Sequence, residues 1–95
     1  MAAYVIVDLE ITDPEGFKSY QKQAAGTLER YGGTYVVRGG KHEMMEGDWP
    51  LHTLVLIEFD SVDKAWQWYR SPEYTSLIDL RNRAASTRAI VVQGV

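Results

Sequence analysis

The run Leu54-Val55-Leu56-Ile57 limits the folds open to this chain more than any other feature. It sits inside Leu51–Phe59, bounded by Pro50 on one side and Asp60-Ser61 on the other. A segment that short and that continuously apolar reads as a central β-strand with cover on both faces. Such a strand needs neighbours, and the chain supplies three. Ala3 to Ile11 is rich in β-branched residues, Thr34 to Arg38 is a second candidate, and Thr87 to Gln93 is the last. Val5, Val7, Leu9 and Ile11 project one way from the first strand, while Tyr4 and Ile6 project the other, so both faces carry apolar groups.

Helix signals fill the gaps. Asp13-Pro14-Glu15 combines a carboxylate cap, a proline at the first helical position and an acid in the first turn. Phe17, Tyr20, Ala24, Leu28 and Tyr31 follow at three- and four-residue steps, and Gly32-Gly33 stops the helix. Ser61 caps a second helix with a stripe of Val62, Ala65, Trp66 and Tyr69. Ser71-Pro72-Glu73 repeats the cap-and-proline signal, so a third helical segment runs from there to about Ala85. Gly39-Gly40 permits a turn, and His42 to Glu46 pairs as a short strand continuation before the Gly47-Asp48-Trp49-Pro50 loop.

The order is β-α-β-β-α-β: an α+β, ferredoxin-like domain over residues 1–95. It has a four-stranded antiparallel sheet and, with right-handed crossovers, helices on one face only. The other face has no cover from its own chain. A two-fold copy is the commonest source of a missing layer, so the sequence predicts a homodimer.

Composition excludes several functions. A net charge of −3 gives no electrostatic footprint for nucleic acid and no attraction to an anionic membrane. The RNA-recognition module shares this element order but needs exposed aromatics on a basic central surface, which Leu54–Ile57 does not offer. With no cysteine, disulfides, thiolate nucleophiles and cysteine metal sites are all ruled out. Arg38-Gly39-Gly40-Lys41-His42 is not a phosphate loop: Tyr35 stands where its first glycine would be, and no serine or threonine follows the lysine. There is no Gly-x-Ser-x-Gly elbow. The opening Met1-Ala2-Ala3-Tyr4 has no basic stretch, and Asp8 and Glu10 break the apolar run that begins there. Neither a signal peptide nor a spanning helix is predicted, and a cytoplasmic location follows by default.

Several stretches together resemble the domain of unknown function 1330 family. They are Tyr31-Gly32-Gly33, Arg38-Gly39-Gly40, Glu46-Gly47-Asp48-Trp49-Pro50, Glu58-Phe59, Trp68-Tyr69-Arg70-Ser71-Pro72-Glu73-Tyr74 and Leu80-Arg81. The resemblance covers nearly the whole chain and implies a dimeric α/β barrel. It implies no particular activity, since relatives of that fold include cofactor-free monooxygenases and haem-handling enzymes.

Candidate site residues follow from the patterning. Arg81 shares a helix face with Tyr74, Leu77 and Ile78; a cation on an inward stripe must be paired, either by an anionic ligand or by Glu58 or Asp8. Arg38 and Glu46 flank the glycine turn and either line a pocket mouth or pair with each other. Glu58 shares a strand face with His52, Leu54 and Leu56, and Asp8 lies on the Tyr4 and Ile6 face. If those faces look toward the helices, Glu58 and His52 become acid–base candidates in a cavity walled by Tyr20 and Tyr69. His42 and His52 with Glu43 and Glu46 lack metal-ligand spacing, so no metal and no cofactor is predicted. Trp68 points off its helix stripe, which suits the dimer interface, a pocket wall or the next helix, the interface being preferred. The leading expectation is a homodimer holding a small organic, acidic ligand between sheet and helices through Arg81, Glu58, Tyr20, Tyr69 and Arg38. A cofactor-independent oxygenase or isomerase and a purely structural or partner-binding dimer are the alternatives.

Overall fold

Asp13 caps the first helix as its sequence requires: the carboxylate accepts from the Gly16 amide at 3.2 Å, with Pro14 in the first turn. Ser61 does the same through the Lys64 amide at 3.1 Å, and Ser71 through the Tyr74 amide at 3.2 Å. These three caps fix where the chain enters its helices. The computed structural model describes residues Met1–Val95. In it β1 (Ala3–Ile11), α1 (Pro14–Arg30), β2 (Thr34–Arg38), β3 (Thr53–Phe59), α2 (Val62–Tyr69), α3 (Pro72–Thr75), α4 (Ile78–Ala84) and β4 (Ala85–Gln93) follow in order.

The four strands form one antiparallel sheet in the order β2-β3-β1-β4, which is the ferredoxin-like topology. Directly opposed residues share a face, so the register sorts the side chains. Val5 lies between Ile57 and Val91, and Val7 between Val55 and Ala89, on the face the helices cover. Tyr4 lies between Glu58 and Val92, Ile6 between Leu56 and Ile90, and Asp8 between Leu54 and Arg88, on the other face. The Cα extents of 35 × 34 × 16 Å leave room for one sheet and one helix layer. The second face is open to solvent in the single chain, and Ile90 there is 62% exposed.

The core lies between the layers. Leu9, Phe59, Ala24, Leu28, Ala65, Trp68 and Tyr74 are all buried there. Gly33 lets the α1–β2 turn approach Phe59: a β-carbon on it would stand 2.8 Å from both the Phe59 ring and Leu28.

Several expectations change. His42 to Glu46 is not a strand; with β3 beginning at Thr53 rather than Leu51, that segment has no partner and belongs to an irregular connection. The last helical segment is broken between Thr75 and Ile78, and its strand begins at Ala85 rather than Thr87. On α2 the buried positions are Ala65 and Trp68, while Trp66 is exposed. Trp68 is therefore core rather than interface. Its indole donates to the Thr27 hydroxyl at 2.9 Å, and that hydroxyl donates to the Ala24 carbonyl at 2.7 Å.

Candidate functional site

A cavity of about 400 Å³ opens between the helix-facing side of the sheet and the helices. Seventeen of its 20 lining residues are hydrophobic, so the cavity is an apolar one. The sheet contributes a floor of Val5, Val7, Val55, Ile57 and Val91. Helices contribute aromatics: the Trp68 and Tyr74 ring centroids are 4.2 Å apart, and those of Tyr69 and Tyr74 are 5.6 Å apart. Tyr35, from β2, completes the ring of aromatic side chains.

Arg81 is the charged member of this lining and is 8% exposed. Arg81 stands on α4, seven residues after Tyr74 on α3, and its side chain reaches back to that residue. One terminal nitrogen donates to the Tyr74 hydroxyl at 2.8 Å, and the other donates to Asn82 Oδ1 at 3.2 Å. Tyr74 and Tyr20 share a further hydrogen bond at 2.8 Å. Guanidinium and two phenols thus form one chain. Arg81 Nε has no partner and is buried, and so is the Thr87 hydroxyl on β4, in the same cavity wall. Leaving such groups unsatisfied is costly, which makes them the polar features to explain.

The electrostatics follow. Burial works against the Arg81 charge, the phenol oxygens of Tyr74, Tyr20 and Tyr69 favour it, and the net shift is upward. The side chain stays cationic. Burial, reinforced by Tyr74, pushes the Tyr20 phenol far above the usual tyrosine range. It serves as a neutral hydrogen-bonding group, not as a phenolate base. Burial raises Tyr35 too, although the Arg38 guanidinium, 5.2 Å from its ring centroid, works the other way.

The structure brings Arg81, Tyr20 and Tyr69 together and leaves other candidates outside. Glu58 is exposed on the open face, opposite Tyr4, and does not meet Arg81. His52 stands on that side as well: its amide donates to Asp8 Oδ1 at 3.0 Å, and its ring lies 3.7 Å from Asp8 and 4.0 Å from Glu10. Asp8 also meets Arg88 at 3.6 Å. Both pairings considered for Arg81 fail for the same reason: Asp8 and Glu58 occupy even positions on strands whose odd positions face the helices. Arg38 makes no ion pair with Glu46; it lines a neighbouring groove instead. No cluster of three His, Cys, Asp or Glu side chains has metal-holding geometry.

Sequence reasoning missed Tyr74 and Thr87 as site residues. Tyr74 carried a usable signal, lying two helical turns before Arg81; Thr87 carried none beyond strand alternation.

The sequence profile of a family described as "Domain of unknown function (DUF1330)" matches residues 2–95. The chain belongs to the DUF1330 family. No curated protein matches it. Among solved structures, the DUF1330 chain is similar to RPA0582, a protein of unknown function from Rhodopseudomonas palustris. Identity is 21% and the TM-score 0.74, covering 99% of this chain and 82% of that one. It is similar also to SnoaB, a cofactor-independent oxygenase from Streptomyces nogalater, at 12% identity and TM-score 0.71, covering 99% and 93%. A dimeric ferredoxin-like protein of unknown function from Jannaschia sp. CCS1 gives 9% identity and TM-score 0.66, covering 99% and 100%. At these identities the likeness establishes the shared fold. No helix of this DUF1330 protein is long and apolar enough to cross a membrane.

Proposed function

We propose that this DUF1330 protein is a homodimer that binds a small, mainly apolar organic acid in the cavity between sheet and helices, with Arg81 holding the acidic group. The observation that carries the reading is a buried guanidinium with no carboxylate beside it and its Nε without a partner. Buried cations are ordinarily paired. A ligand carboxylate would supply the missing charge, and the arginine fork suits it. Because Nε is covered in the single chain, engaging it requires Arg81 or a neighbour to shift. Tyr20 and Tyr74 would hold the guanidinium in place, and Tyr69 would pack against the ligand body.

Dimerisation through the open sheet face supports the same picture. Ile6, Leu54, Leu56, Ile90 and Val92 lie on that face with no helix over them. A second copy would bury them and leave both cavities accessible from the helix side.

Binding accounts for the cavity better than acid–base catalysis does. Neither a carboxylate nor an imidazole lines it, because Glu58 and His52 face away. A solid structural core would not leave 400 Å³ between its layers. Thermal-shift screening of a metabolite library tests the proposal, since a ligand specific to the native state raises the melting temperature. Carboxylic acids with apolar bodies should stabilise the protein, and their carboxamides should not. Equal stabilisation by acid and amide would refute the role given to Arg81.

A further inference from the structure

A second, shallower hollow of about 360 Å³ adjoins the cavity. The two share Phe17 and Gln21 on α1 and Val55 on β3, so they meet at those three side chains. Lys18 and Arg38 line the outer hollow and not the inner cavity, whereas Arg81 lines the inner and not the outer. Gly39, with φ +72°, turns the chain out of β2 there and leaves Arg38 at the rim.

The charge along this path departs from that of the whole chain. Asp and Glu outnumber Lys and Arg by 13 to 10, yet neither the cavity nor the hollow is lined by a single Asp or Glu. Their charged groups are all cations. None of the chain's four ion pairs involves Lys18 or Arg38, and Arg38 instead lies over the Tyr35 ring, whose residue lines the inner cavity. A passage that is apolar in the middle and cationic at two separate places selects for the complementary molecule.

The geometry points to a second anion subsite at Lys18 and Arg38, and so to an elongated ligand with an apolar body and an acidic group at each end. This rests on the assignment of the inner cavity to an acid held by Arg81. One head would meet Arg81, the body would lie on the Val55 and Phe17 surface, and the other head would remain at the solvent-facing rim. Because the rim cations are exposed, their contribution is screened by salt.

The test uses a series of straight-chain α,ω-dicarboxylates, short to long, each paired with the monocarboxylate of equal chain length, titrated calorimetrically into the full-length protein. At low salt at least one dicarboxylate should bind about five- to tenfold more tightly than its monoacid. That preference should shrink with added salt and fall to about one in Lys18→Gln/Arg38→Gln, whose fold is verified by circular dichroism. Monoacids that bind through Arg81 with no gain from the second carboxylate, at any length, would overturn the two-headed ligand while leaving the inner site standing. A preference that survives the double substitution would overturn the assignment of Lys18 and Arg38. Failure of every acid to bind would overturn the subsite together with the reading beneath it.

Discussion

Arg81 donates a 2.8 Å hydrogen bond to the Tyr74 hydroxyl, and that phenol, not a carboxylate, is the nearest answer to its buried charge. The stability of the fold and the chemistry of the cavity meet at this contact. A guanidinium out of water with only neutral acceptors has lost hydration without gaining a counter-ion. Replacing it with an apolar side chain of similar reach should therefore cost little. Arg81→Met should unfold in urea within about 1 kcal/mol of the parent, or be more stable. The same variant should lose acid binding.

Tyr74 occupies the middle of the chain from Arg81 to Tyr20. Tyr20→Phe removes one end and leaves Tyr74 bonded to Arg81, at a cost of about 1 kcal/mol. Tyr74→Phe strands both neighbours, including the charged one, and should cost about 2–3 kcal/mol. Chemical denaturation of both variants should place Tyr74→Phe below Tyr20→Phe.

The open sheet face predicts assembly. The wild-type chain should sediment as a dimer. Ile90→Glu puts a charge at a position already 62% exposed in the single chain, so the monomer fold should tolerate it while the dimer does not. Analytical ultracentrifugation should find the variant as a folded monomer; an unchanged sedimentation coefficient would exclude this face as the interface.

Glu73 predicts an acid limb. Its own backbone amide, then the Tyr31 hydroxyl at 3.1–3.2 Å, hold its carboxyl below the ordinary value of 4.5. A carboxyl held low binds protons less readily folded than unfolded. The stability it contributes is therefore present above pH 4.5 and is lost as pH falls through the folded value. Melting temperature measured against pH should show a shallower acid decline in Glu73→Gln than in the parent.

How far the sequence disclosed this fold depended on whether a local rule could decide the matter. Caps at Asp13, Ser61 and Ser71 are chemical, and each falls where its residue predicts. Strand alternation separated Val5 from Tyr4 correctly. It could not say which set faces the helices, because both sets are apolar. Glu58 and His52 are cavity candidates only if the even-numbered set faces the helices, and the sheet turns that set the other way. On α2 the eight residues are too few for periodicity to choose between Trp66 and Trp68; a partner for the indole on α1, Thr27, decides it, and that partner lies 41 residues away. Arg81 was legible as an inward cation. That no acid accompanies it was not, since pairing is a property of the assembled layers.

The Arg81 Nε–H offers the most direct measurement. Its ¹⁵N-correlated NMR resonance can be followed while an apolar carboxylate selected by thermal shift, and separately its carboxamide, is titrated into the protein. The acid should move that resonance in step with saturation, and the amide should leave it in place. An Arg81 signal that stays fixed through acid binding, with the shifts gathered on the open sheet face, would contradict the cavity assignment.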